Sequence, residues 1–224
     1  MAKLVWDKSG SHFFETGVDH GVLFVADDVK GGYAPGVVWN GLSSVTESPS
    51  GAEESAVYAD NIKYLSLRSA EQFEGTVEAY TYPDEFGVCD GSIELAKGVK
   101  IGQQKRRKFA LCYRTKLGND LDDELGYKIH IIYGATAAPS ERQYQTVNDS
   151  PEAMTFSWSI TTTPVEINGF KPTAHIEIDS TKVDAGKLEV LEDKLYGSDG
   201  ADSVSTLLLP DEITALVGAP IIKA

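Results

Sequence analysis

Tyr58–Phe86, YADNIKYLSLRSAEQFEGTVEAYTYPDEF, is the stretch that decides the fold class. With the residues just before it, it reads as two strand-like runs, Ser55–Leu67 and Gly75–Tyr82, joined by a short polar connection. Both runs are rich in Tyr, Val, Ile and Thr, which suit a pleated, half-buried surface. The second ends at Tyr82-Pro83, because a proline lacks the N–H and pushes the residue before it away from helical angles.

The same texture continues outward. Val18–Val25, Phe109–Leu117, Tyr127–Gly134, Met154–Thr161 and Thr173–Asp179 read as further strands, separated by turn clusters such as Gly31-Gly32, Ser48-Pro49-Ser50-Gly51 and Gly118-Asn119-Asp120. Two of them alternate cleanly. Met154, Phe156, Trp158 and Ile160 oppose Thr155, Ser157, Ser159 and Thr161; Ala174, Ile176 and Ile178 oppose Thr173, His175, Glu177 and Asp179. One oily and one small polar face predict an antiparallel sheet packed on one side only. Asp184 can cap a helix over Ala185–Tyr196, with Leu188, Leu191 and Leu195 on one stripe and Gly197 as the stop. A second helix is expected over Pro210–Val217. The fold class is therefore mainly β, a β-sandwich or barrel with a flanking helix.

Composition narrows the partners. The formal net charge of −14 disfavours wrapping nucleic acid through its phosphates and disfavours an anionic membrane surface. No apolar run approaches the length of a membrane span, and the opening MAKLVWDKSG lacks the apolar core of a signal peptide. Cys89 and Cys112 form no CxxC pair, so they are expected to be small hydrophobes in a chain folded in a reducing cytoplasm.

Signals for chemistry are sparse. His12, His20, His130 and His175 have no metal-ligand spacing. Asp120, Asp122 and Glu124 imitate the start of a calcium loop, but Leu125 stands where that loop needs glycine. No phosphate loop and no nucleophile elbow is present. No catalytic, metal or cofactor-binding residue is assigned, and no cofactor is expected.

The Tyr58–Phe86 stretch resembles the major tail proteins (tail tube proteins) of long-tailed, non-contractile bacteriophages of Gram-positive hosts, which carry a similar YADNxKYxxL segment followed by an EAYTYPDEF-like strand and turn. Val5–Phe14, Tyr33–Leu42 with the acidic Glu47–Glu54 loop, Leu191–Gly197 and Leu209–Val217 extend the likeness in order along the chain. The resemblance implies a structural subunit and one tail tube domain over residues 1–224: an N-terminal arm (1–14), a β core with a helix (15–197) and a C-terminal arm (198–224). It further implies hexameric rings stacked into a hollow conduit for double-stranded DNA, which passes without specific binding. The implied partners are other copies, a tape measure protein, and terminator and distal tail proteins. The implied location is the virion tail, after assembly in the host cytoplasm.

On that reading, Tyr33–Glu54 is expected to be a long inter-subunit loop burying Trp39 or Leu42 in a neighbour. The basic run Gln103–Lys108, with Lys105, Arg106, Arg107 and Lys108, is expected to meet acidic groups of the next subunit, such as Glu47, Glu53, Glu54 or Asp120–Glu124. Trp6, Phe13, Phe14 and Leu208 are expected in terminal arms that pack on adjacent copies. The polar faces Thr155, Ser157, Ser159, Thr161 and Thr173, His175, Glu177, Asp179 are expected to line the lumen, with Trp158 and Ile176 in one core behind them. A different class stays open: a monomeric β-sandwich binding carbohydrate or a cell-surface component, which would need exposed aromatic platforms.

Overall fold

A computed structural model describes residues 4–147, 149, 152–200 and 203–218. Along the chain run β1 (Phe14–Val25), β2 (Val37–Trp39), β3 (Leu42–Glu47), β4 (Ser50–Gly51), β5 (Glu54–Ala59), β6 (Ile62–Arg68), β7 (Glu71–Gln72) and β8 (Glu74–Ala79). A 3-10 turn at Asp84–Val88 precedes β9 (Ile93–Ala96), β10 (Val99–Ile101), β11 (Phe109–Gly118), β12 (Gly126–Ala137), β13 (Phe156–Thr161), β14 (His175–Asp179), α1 (Ala185–Tyr196) and α2 (Pro210–Val217). The fold is mainly β with antiparallel pairing and two helices, as the alternation and capping signals predict.

Eight strands form one sheet in the order β2-β1-β11-β12-β13-β8-β3, with β14 also on β12. The branch lies within β12. Lys128–Ile132 pair with Asp179–His175, whereas Thr136 and Ala137 pair with Thr161 and Ile160. Between them sits Gly134 at φ +57°, where a Cβ would stand 2.4 Å from the Thr163 carbonyl oxygen. The register with β11 slips there by one residue, from Ile132↔Leu111 to Ala135↔Phe109. A bulge of this kind bends a strand, and only glycine leaves room for the Thr163 backbone. The bend turns β13, β8 and β3 back over the other strands.

Two cores result. The first lies between the halves of the bent sheet and holds Leu23, Leu111, Ile132, Val77, Ala79, Trp158 and Ile160. The 3-10 turn drives Phe86 into it, 4.6 Å from Trp39 and 5.0 Å from Trp158 between ring centroids. The second lies on the opposite face, where Phe24, Cys112, Ile129, Ile131, Tyr133 and Ile178 meet Leu188, Leu191 and Leu195 of α1 and Ile213 of α2. The expectation of a sheet packed on one side only is thus corrected for the central strands. Phe109–Tyr113 and Ile129–Ala135 are buried on both faces, and their near-continuous apolar runs are what double burial requires. Ile176 packs on the helix-side core, so it does not share a core with Trp158.

The C-terminal segment is also corrected. Leu207 and Leu208 are buried in their own chain, and the Tyr133 hydroxyl donates to the Leu208 carbonyl at 2.8 Å. Lys187 Nζ of α1 donates to the Val217 carbonyl of α2. Over 203–218 this arm is part of the second core, because its leucines complete the stripe of α1; residues 201, 202 and 219–224 of the expected arm lie outside the described residues. Asp184 caps α1 by accepting from the Gly186 and Lys187 N–H groups at 3.1 and 3.2 Å, as the sequence predicts.

Candidate functional site

The Ser55–Leu67 run is not one strand. Asp60 and Asn61 take φ of +51° and +63°, closing a two-residue turn between Ala59 and Ile62. Asp and Asn tolerate this left-handed geometry, which matches the twist of a hairpin. The β3–β8 ladder continues through β4–β7 into β5–β6, so one long arm leaves the edge of the sandwich. At about 3.3 Å per residue it reaches on the order of 40 Å past Glu47.

Every residue of β5 and β6 is exposed. Leu65 and Ser66, in-register neighbours that project from opposite faces, are both exposed, so neither face packs on the described residues of its own chain. Tyr64, at the bulge between Lys63 and Leu65, is 67% accessible. Tyr58, Ile62 and Leu67 are exposed beside them. A two-stranded hairpin alone in water is marginal, and a contiguous apolar surface marks an interaction site. Glu54 holds Lys63 and Ser66 across the hairpin, and Lys63 holds its carboxyl below the usual range. A smaller hairpin, β9–β10, exposes Ile93, Leu95 and Val99.

The residues expected at subunit contacts divide. Trp39 is 2% exposed, sits in the first core and donates from Nε1 to the Thr81 carbonyl at 2.9 Å. It is not available to a neighbour. Leu42 packs against the same core. Tyr33–Glu54 is not a loop but carries β2, β3 and β4; Trp39, Leu42 and Val45 turn to the first core, whereas Val38 and both residues of β4 are exposed. Glu47 accepts from the Tyr113 hydroxyl at 2.7 Å, while Glu53 is exposed. In the basic run, Arg106 turns inward to the Asp90 carbonyl at 2.9 Å and Lys108 reaches Thr163 at 2.9 Å. Lys105 lies 3.8 Å from Asp28, and Arg107 stays exposed. Of the four basic residues only Arg106 is turned inward; Lys105, Arg107 and Lys108 remain exposed.

At the N-terminal end Trp6, Phe13 and Phe14 are exposed. The backbone between them is pinned to its own chain: Asp120 accepts from the Gly10 and His12 N–H groups at 3.0 and 3.2 Å. The Gly10 contact first, then those of His12, pull the Asp120 carboxyl down to about 2 from its ordinary 3.8. A depressed carboxylate stabilises the contact above its unfolded value and loses it as pH falls. Gly10 and His12 amide resonances are accordingly expected to stay fixed above about pH 4 and to shift between roughly 4 and 2. Asp120→Ala should release the same amides at neutral pH without moving the midpoint of global unfolding; a large midpoint change would contradict this local role.

The two expected lumen strips lie on different surfaces. Ser157, Ser159 and Thr161 stand on the outer face of β13, opposite Glu78, Thr76 and Glu74 of β8, which in turn face Ser44 and Thr46 of β3. Thr155, exposed, lies just before β13. These positions are hydroxyls and carboxylates without a lysine or arginine. His175, Glu177 and Asp179 instead share the first-core side of the sheet with Ile132, His130 and Lys128. Glu177 is paired with Lys128 at 3.1 Å and Asp179 with Lys182 at 2.6 Å, while Thr173 donates to the His175 carbonyl. His175 is half-buried and stacks on Phe73. Sequence spacing gave no hint that β14 would bring His175 beside His130 and Glu47.

Cys89 and Cys112 are buried, and burial pushes both thiols up to about 12, which leaves them inert as nucleophiles. No helix among the described residues is long and apolar enough to cross a membrane.

No protein-family model and no curated protein matches the sequence. Among solved structures, a chain of the sheath-tube complex of an extracellular contractile injection system (PVC, extended state) is similar at 12% identity and a TM-score of 0.32, covering 71% of this chain and 88% of that chain. A chain from the sheath/tube terminator of the same kind of system is similar at 14% identity and a TM-score of 0.30, covering 79% and 99%. At these values neither similarity bears on what the chain does.

Proposed function

We propose that this chain is a structural subunit of a tail tube, one domain whose copies close into hexameric rings that stack into a conduit for DNA delivered to a host cell. The observation that carries this reading is the β5–β6 arm, which exposes Tyr58, Ile62, Tyr64 and Leu67 with none of the described residues covering them. A second copy is the occupant that repetition supplies, since one arm per subunit against one acceptor surface per subunit makes a head-to-tail contact that propagates. The resemblance of YADNIKYLSL, which is this arm, to the tail proteins of non-contractile phages points the same way. Tape measure, terminator and distal tail proteins are the further partners on this reading, the virion tail is the location, and the role is mechanical rather than catalytic.

The lumen assignment moves with the geometry. The outer face of β3, β8 and β13 suits a wall past which duplex DNA slides, because each lysine or arginine there would add a phosphate contact. Glu177 and Asp179, already neutralised by lysines, suit it less. Ser159→Lys with Thr76→Lys is expected to leave tubes intact and to slow or block DNA passage; unimpaired passage would place this face elsewhere.

Light scattering on a sizing column with negative-stain imaging tests the function itself. Rings or tubes are expected, and a monomer at every concentration would favour the binding-module reading. Of the two tryptophans that reading could use as platforms, Trp39 is buried and Trp6 is exposed.

A further inference from the structure

Three side chains far apart in sequence converge where the two halves of the bent sheet meet. His130 Nδ1 of β12 lies 3.3 Å from His175 Nε2 of β14, and Glu47 Oε1 of β3 lies 3.4 Å from His175 Nε2 and 3.8 Å from His130 Nδ1. We propose that Glu47, His130 and His175 form a Zn²⁺ site that staples β3 to β12 and β14.

The protons decide which atoms are free to bind. The Thr115 hydroxyl donates to Glu15 Oε1, so its oxygen accepts from His130 Nε2–H at 3.0 Å. Glu15 Oε1 also lies 3.3 Å from that nitrogen. The proton of His130 is thereby held on Nε2, and Nδ1 presents its lone pair to the cluster. A histidine whose second nitrogen is fixed by a carboxylate is the usual support of a metal-bound imidazole. Tyr113 stacks on the His130 ring at 4.8 Å between centroids and donates to Glu47 Oε1, fixing both ligands from behind.

With Nδ1 of His130 and Oε1 of Glu47 both acceptors, the one proton on His175 Nε2 is shared between two lone pairs, and moving it to His175 Nδ1 turns all three atoms into donors of a lone pair to a cation. A dication there satisfies all three. His175 then carries its proton on Nδ1 instead, with no net proton change. Bonds of about 2.0–2.1 Å in a tetrahedron place ligand atoms roughly 3.3–3.4 Å apart, which is the spacing of two of the three pairs; the third closes by a small side-chain rotation. His130 is buried, whereas the Glu47 side chain is 35% exposed, so the cluster reaches solvent on the Glu47 side.

The test uses the full chain stripped with a chelator and titrated with ZnCl₂ by calorimetry and with Co²⁺ by visible absorption. One equivalent per chain and intense tetrahedral Co²⁺ bands are expected. Glu15→Gln should weaken Zn²⁺ about 10–100-fold, and His175→Gln should remove binding. If a histidine variant fails to fold, Glu47→Gln, at the solvent edge, gives the same reading. Absence of equimolar binding, or unchanged affinity in folded His175→Gln or Glu47→Gln protein, would overturn the site.

Discussion

Trp39→Ala is expected to lower the unfolding free energy by about 3–5 kcal/mol, the range for deleting a large buried aromatic. Trp39 packs its ring against Phe86 and Trp158, and its indole N–H satisfies the Thr81 carbonyl. The variant loses dispersion contacts on both sides and leaves that carbonyl without a donor. Against a total stability of roughly 5–15 kcal/mol for an ordinary domain, this is a large share. Urea denaturation followed by circular dichroism measures it. A variant with an unchanged midpoint that nonetheless fails to assemble would return Trp39 to the subunit interface and contradict the placement argued above.

The converse is expected for the arm. Tyr58→Ser, Tyr64→Ser and Leu67→Ser together should leave the unfolding midpoint close to that of the parent, because exposed substitutions away from special features stay within about 0.5 kcal/mol each. Assembly should fail. If each side chain contributes about 1 kcal/mol or more when buried on a neighbour, the critical concentration rises at least roughly 100-fold. Sedimentation velocity across a concentration series reads this directly. Tubes forming at the parent concentration would show that the arm is not the contact.

The contrast between these two sites explains what could be read in the amino-acid sequence. The helices stand where Asp184, the leucine stripe, Gly197 and Pro210 place them, since capping and helical periodicity are local. The central strands are legible from their apolar runs. The arm was not legible as a hairpin because Asp60-Asn61 carries no glycine or proline to punctuate it, and the flanking Tyr, Ile and Leu read straight through as one strand. Trp39 misled for the opposite reason. It lies in a segment broken by Gly36 and Gly41, which reads as loop, yet its burial is decided by Phe86 and Trp158, distant in sequence. Arg106 belongs to a basic run by composition but turns to Asp90 once the chain folds. The meeting of His130 and His175 depends on the β12–β14 register, which no local spacing encodes.

Cryo-electron microscopy of the assembled chain decides whether the β5–β6 arm builds the tube. Stacked rings are expected, in which Tyr58, Tyr64 and Leu67 are buried on a neighbouring copy while Ser159, Thr76 and Glu78 face the bore. Particles in which the β5–β6 arm stays in solvent, or a chain that remains monomeric at every concentration, would contradict it.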